Sequence, residues 1–389
     1  MDFDKIIDRR GSHSSKWDSM AGIYGVSPDD GLAMWVADMD FHPPQCVQDA
    51  VKAMHDHGVY GYFGEEQEYL AAIQWWMKNR HGWEIDPAWV FSTHGLVNGT
   101  GLCVDAFTNP GDGVILFTPV YHAFARVIRA AGRKVVECPL VLNDGRYEMD
   151  FAAYDTQMTG TERMLILCSP HNPCGRVWTR TELEEIAAFA KRHDLIIVSD
   201  EIHEDLTMPG VSHLPTARID GITDRLITMT AATKTFNIAG SHIGNVIIAD
   251  PALRKTFASR MTALGLSPNS FGLFMVTAAY CAEGAIWVDA LRDYLNENRK
   301  TFDAAVNAIP GVSSMALEST YLSWVDFSGT GMSPSEVQSR VQGQAKIAAN
   351  HGSSFGLGGP DYLRFNIGMP RSQVEAACAR LTDAFRDLQ

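Results

Sequence analysis

Between residue 90 and about residue 250, short apolar runs recur with helix-length segments between them, and this alternation leaves few folds open to the chain. The runs fall at 90–92, 114–117, 134–137, 164–168, 195–199, 226–229 and 245–249. Strands this apolar are buried on both faces. Strands separated by helices pair mostly in parallel, with helices covering the sheet. The expectation is an α/β protein with a mostly parallel seven-stranded sheet. Such sheets bind ligands beyond the carboxyl ends of their strands.

The flanking segments read differently. Residues 1–45 look like an irregular arm with one short strand at 33–37. Leu70, Ile73 and Met77 share one face of a helix over 67–80 that stops near Gly82. Thr181 and Glu184 have capping-box spacing and open a helix running to about His193. A long helical stretch is expected from about 268 to 308. After it come short strands and helices at 319–326, 335–349, 362–366 and 373–387. The expected division is an arm (1–45), a large domain (46–285) and a smaller α+β domain (286–389) that the arm completes.

Composition narrows the function classes. The 389 residues are 46% hydrophobic and 20% charged, ordinary for a folded chain. A formal charge of -14 argues against nucleic acid or an anionic membrane as main partner. The seven cysteines are scattered, and their odd number suits reduced thiols. No Cys-x-x-Cys or Cys/His cluster points to a metal. The amino terminus is too charged for a signal peptide, and no apolar run approaches the roughly 18 residues of a membrane span. The chain reads as a soluble, cytoplasmic protein.

Chemistry concentrates at the strand ends. Lys234 follows the run at 226–229, Asp200 closes that at 195–199, and Asn172 follows that at 164–168. One amine, one carboxylate and one carboxamide thus converge on one sheet edge. Pyridoxal phosphate (PLP) needs such a set, with a lysine for the Schiff base and an acid beside its pyridinium nitrogen. A surface lysine, a helix-capping acid and a plain Asn-Pro turn are the bland alternatives. Glu201 is the weaker acid candidate, because alternation points it to the other side. Gly95, Leu96 and Val97 open a helix after a strand, where backbone N–H groups can hold phosphate. Gly99-Thr-Gly101 lacks the third glycine of a dinucleotide fingerprint. Tyr121 follows another strand, placed to stack on a ring or to fill core. Arg364 lies inside an apolar strand; its fork suits a substrate carboxylate or a structural ion pair.

Together these residues resemble the fold-type-I PLP enzymes of the aspartate aminotransferase superfamily. Closer motifs are Trp35-Val-Ala-Asp-Met-Asp-Phe41, His57-Gly-Val-Tyr-Gly-Tyr62, Asn172-Pro-Cys-Gly-Arg-Val-Trp178, Ser199-Asp-Glu-Ile-His203, Lys234-Thr-Phe-Asn-Ile-Ala-Gly240 and Ser319-Thr-Tyr-Leu-Ser-Trp324. They resemble the MalY/PatB-type C–S lyases, which include cystathionine β-lyases. The resemblance implies that Lys234 is the Schiff-base lysine, and that Asp200 partners the pyridine nitrogen and Asn172 the phenolate oxygen. Tyr121 would stack on the ring and orient or protonate groups near the imine, and Arg364, with Asn172 as a further donor, would anchor the substrate carboxylate. Leu96 and Val97 would supply backbone donors to the phosphate. Tyr62 would reach the neighbouring subunit's phosphate, which implies a homodimer with shared sites.

Three positions depart from the commoner pattern. Ala231 stands where many relatives carry Ser, so a hydroxyl to the phosphate is lost or comes from Thr230 or Thr233. His203 stands where aminotransferases often carry Tyr. His242 falls where they place a phosphate-binding Arg. The implied activity is a PLP-dependent β-lyase that expels a thiol from an L-cysteine conjugate such as cystathionine. An aminotransferase using the same residues is the alternative. A regulatory binding protein on the same fold is a more distant one.

Overall fold

The computed structural model describes residues 1–267 and 269–388. Fourteen strands are found among them: β1 (Leu32–Met34), β2 (Val90–Thr93), β3 (Gly113–Thr118), β4 (Lys134–Pro139), β5 (Val141–Asn143), β6 (Arg146–Glu148), β7 (Glu162–Cys168), β8 (Ile196–Asp200), β9 (Leu226–Thr230), β10 (Gly244–Ile247), β11 (Ser313–Ser314), β12 (Leu322–Asp326), β13 (Ile347–His351) and β14 (Tyr362–Asn366). Seven of them form the large sheet, in the order β2-β10-β9-β8-β7-β3-β4. Only β10 runs against its neighbours; the pairs β9/β8, β8/β7, β7/β3 and β3/β4 are parallel. All seven expected runs are strands of this sheet. Strands β3, β9 and β10 are buried throughout on both faces, as a helix-covered sheet requires.

The register sets the functional edge. Cys168 on β7 lies opposite Asp200 on β8, and Asp200 lies opposite Met229 on β9. The carboxyl ends of β7, β8 and β9 are therefore level. The loops that follow them carry Asn172, His203 and Lys234 into one neighbourhood.

A second sheet has the order β1-β13-β14-β12-β11. The arm strand β1 pairs in parallel with β13, Leu32 opposite Ile347. Arg364 on β14 lies opposite Trp324 on β12 and Asn350 on β13. The arm then runs on to residues 35–41, which cross to the large sheet. Asn237, just after Lys234, binds that segment through three bonds of 2.7–2.8 Å to the backbone of Met39 and Phe41.

Three local expectations need correction. The capping box is Thr179 with Glu182, not Thr181 with Glu184, and the helix is Arg180–Arg192. Both pairs have the same spacing, but only the earlier one puts buried Trp178 just before the cap and buried Leu183 at the fourth helical position. The stretch 268–308 is two helices, Ser270–Ala279 and Ala282–Asn307, bent by 78°; Pro268 lies outside the described residues. At the bend Cys281 caps the second helix, and Tyr280 stacks on Trp76 at 4.7 Å. A side chain at Gly284 would start 1.9 Å from the Ala279 carbonyl oxygen, so this close turn requires glycine. Residues 335–349 divide into a helix (Pro334–Ser339), a π-helical turn (Arg340–Gln344) and β13. Among the described residues, no single helix is long and apolar enough to cross a membrane.

Candidate active site

Lys234 sits on a one-turn helix, Ala232–Thr235, directly after β9. Its Nζ donates to the Ala37 carbonyl oxygen at 2.6 Å, and the Tyr321 hydroxyl donates to the same oxygen at 2.9 Å. Burial lowers the lysine's pKa to about 8; Arg364 pushes the same way, while Asp38 and Asp200 oppose. A large fraction of a lysine amine held there is neutral near pH 8 and available as nucleophile or base.

Asp200 is 5% exposed. Its Oδ1 accepts from the Ile202 N–H at 3.1 Å, and among the described residues that is the carboxylate's one hydrogen bond. Burial raises its pKa to about 7, helped by Glu201 and opposed by Ile202 and Lys234. A carboxyl so poorly served by its surroundings favours a cationic N–H partner. Glu201 faces elsewhere, where it accepts from Ser199 and His213 at 2.8 Å and from the Thr216 N–H at 3.0 Å.

Arg364 and Asn172 meet across the two sheets. Arg364 Nη1 donates to Asn172 Oδ1 at 2.9 Å, and Nη2 donates to the Trp35 carbonyl at 2.8 Å and to Asn350 Oδ1. Its guanidinium lies 5.0 Å over the Phe355 ring, and its buried Nε has no partner. No carboxylate forms an ion pair with it among the described residues, so this buried charge contradicts the structural ion-pair alternative.

Tyr121 caps the helix His122–Ala130 after β3. Burial raises its pKa, with Arg364 and Asp200 close enough to perturb it. His203 is buried, and its Nδ1 has no partner. Burial, with Lys234 and Arg364 nearby, lowers its pKa to about 3, so its ring is neutral.

Gly95 begins the helix Leu96–Phe107 at φ 83°, a left-handed conformation suited to glycine. The first N–H groups of a helix have no intrahelical acceptor, and none is recorded for Gly95, Leu96 or Val97. Thr233 is buried, with no recorded partner for its hydroxyl. Thr230 is different: it is wholly buried, and its hydroxyl accepts from Asn245 Nδ2 at 3.4 Å, which ties it into the sheet. His242 is exposed, in a left-handed conformation of φ 45°. Tyr62 is fully exposed and lines an open hollow with Met54, Phe63 and Phe274, so this chain does not bring it to Lys234.

Several participants escaped the sequence reading. Asn350, Ala37, Tyr321 and His171 had no individual signal. Asn350 ends an apolar run, and its register opposite Arg364 appears only once the sheet is formed. His171 bridges two loops, with its Nε2 2.8 Å from the Pro119 carbonyl. Asn366 binds the carbonyls of Val36 and Asp38 at 2.6 Å each, which holds residues 36–38 against the site.

A sequence profile of the aminotransferase class I and II family matches residues 32–381. The chain belongs to that family. Among its relatives, the cystathionine β-lyase PatB of Bacillus subtilis is 37% identical over 99% of this chain and 100% of its own length. The protein MalY of Escherichia coli is 32% identical over 99% of each chain. The crystal structure of cystalysin from Treponema denticola, which contains pyridoxal 5'-phosphate, superposes with a TM-score of 0.95 at 36% identity, covering 100% of this chain and 99% of that one.

Proposed function

We propose that this protein is a PLP-dependent carbon–sulfur β-lyase that cleaves L-cysteine S-conjugates of the cystathionine type to a thiol, pyruvate and ammonia. One observation carries the reading. A partly neutral lysine, an acid with no cationic partner and a buried arginine with no carboxylate meet at one edge, in a chain 37% identical to a cystathionine β-lyase over its full length.

The donor set fits the cofactor. Lys234 would be its covalent anchor, and Asp200 would partner its pyridine nitrogen. The free N–H groups of Gly95, Leu96 and Val97, with the Thr233 hydroxyl, would receive its phosphate. Tyr121 would stack on the ring, while Asn172 and neutral His203 would hold its phenolic oxygen. When bound, PLP supplies the sink that takes up the electron pair from the substrate Cα.

The chain's own groups do the rest. Arg364 binds the α-carboxylate, a fork of donors matched to two oxygens. This fixes which bond at Cα stands toward Lys234. Once the substrate's amino group has taken its place on the cofactor, the freed Lys234 Nζ removes the Cα proton, and its lowered pKa suits it to do so near neutral pH. Asp200, as a carboxylate, keeps a proton on the pyridine nitrogen by favouring its cationic form. The Cβ–S bond breaks, the sulfur leaves with the bonding pair, and the proton held on Lys234 Nζ passes to the departing thiolate, which gives the thiol and leaves Lys234 neutral again. Water then releases pyruvate and ammonia. The active unit is a homodimer in which Tyr62 completes the partner's phosphate site.

The test is pyruvate release from purified protein and cystathionine, with and without an added keto acid. Stoichiometric pyruvate and thiol without an acceptor support the lyase. Turnover that requires the keto acid, with no thiol released, overturns it in favour of an aminotransferase.

A further inference from the structure

Just past β8 the chain gathers ionisable side chains that this chemistry does not use. Glu201, Glu204 and Asp205 meet His81, from the end of the helix Gln67–His81, and His213, from the following loop. All five side chains are at most 6% exposed. Two pairs are made: His213 Nε2 with Glu201 Oε2, and His81 Nε2 with Asp205 Oδ1, each at 2.8 Å. Glu204 is left over. Its buried Oε2 has no hydrogen-bond partner and points to within 3.8 Å of His81 Nε2. An interior carboxylate without a partner is costly unless a cation or a proton offsets it.

The donor atoms form two sets that share one residue. Donor atoms of His81, Glu204 and Asp205 all lie within 4.8 Å of one another, as do those of Glu201, Glu204 and His213. Glu204 is common to both sets. A cavity of about 220 Å³, lined by His81, Glu204, Asp205, Ser212, His213 and Arg292, gives access. Arg292 at its wall is occupied by the Thr207 carbonyl at 2.6 Å.

We propose that His81, Glu204 and Asp205 bind one divalent transition-metal ion, with Glu204, the carboxylate that has an unpartnered oxygen, as its central ligand. Imidazole with carboxylate is a donor set for zinc or manganese, whose bonds of about 2.0–2.2 Å require the cluster to contract slightly. The ion would work at a distance from the reacting atoms. Asp205 also accepts from Thr235 Oγ1 at 2.8 Å and from Trp76 Nε1 at 3.0 Å. Thr235 adjoins Lys234, and Glu201 adjoins Asp200. A bound ion therefore ties the loop after β8 to both the lysine turn and the helix Gln67–His81.

The experiment uses PLP-loaded protein, stripped with a chelator, dialysed and titrated with manganese chloride (free-ion electron paramagnetic resonance) and zinc chloride (calorimetry). The expected result is one saturable site per chain for at least one ion, bound roughly tenfold or more weakly by Glu204→Gln and by His81→Asn. The ion should raise the unfolding temperature of the wild type and not of the variants. No saturable binding to the wild type overturns the proposal. So does binding that both variants retain unchanged, which puts the ion on other groups and makes Glu204 a buried acid. If Glu204→Gln does not accumulate as folded protein, His81→Asn and the wild-type titration decide alone.

Discussion

Arg364 Nη1 donates to Asn172 Oδ1 across 2.9 Å, and this bond joins β14 of the small sheet to the loop after β7 of the large one. Arg364 is 2% exposed and keeps its charge; burial lowers its pKa only to about 10. Truncation to Ala removes the guanidinium that bonds Asn172 at this edge. The expected loss in kcat/KM for a cysteine conjugate is roughly 2–5 kcal/mol, about thirtyfold to several thousandfold, with PLP affinity little changed. Arg364→Lys should recover little, since an ammonium cannot present two parallel donors. Steady-state kinetics with a PLP titration checks this; unchanged kcat/KM would make Arg364 purely structural.

Lys234, with its pKa lowered to about 8 by burial, should combine with PLP faster as pH rises and level off above that value. The sign follows from the amine, which is nucleophilic only when neutral. Borohydride treatment of the loaded protein followed by peptide mass spectrometry should find the cofactor on the Lys234 peptide. A cofactor adduct on any other lysine refutes the anchor.

Asp200 links folding to pH in the cofactor-free protein. Its pKa rises from 3.8 to about 7 on folding, so its contribution is complete below about 4 and is lost as pH climbs through 7. An amide at this position does not titrate. Cofactor-free Asp200→Asn should therefore gain stability relative to wild type between about pH 5 and pH 8, by at most a few kcal/mol. Its PLP affinity and turnover should fall, because the amide carries no charge to hold the pyridine nitrogen protonated. Paired thermal melts at the two pH values test this. A wild-type-minus-variant difference that stays constant means that Asp200 is ionised throughout.

How far this architecture was legible depended on the range of the forces involved. The strands of the large sheet were readable because a run buried on both faces must be apolar along its whole length. Lys234, Asp200 and Asn172 stood out as polar residues ending such runs. Thr179 and Thr181 share one capping spacing, and burial of Trp178 and Leu183 selects between them. The bend at Tyr280–Cys281 depends on contacts with Trp76, about two hundred residues earlier in the chain. Asn350 faces Arg364 only through strand register, and the His81–Glu204–Asp205 cluster draws on segments more than a hundred residues apart. Such long-range pairings leave no periodic trace in a single sequence.

Tyr62 supplies the test of assembly. Its ring is fully exposed, beside exposed Val59, Tyr60 and Phe274, an apolar surface of the kind that a second copy would cover. If Tyr62 completes the partner's phosphate site, Tyr62→Ala should weaken PLP binding and activity sharply. Lys234→Ala should abolish activity. In a mixed dimer of the two variants, one site carries both lesions and the other carries neither. Mixing the two inactive proteins under conditions of subunit exchange should therefore restore activity, up to about a quarter of the wild-type level when the chains assort at random. Exchange verified by native mass spectrometry with no recovered pyruvate production would mean that each site is built from a single chain.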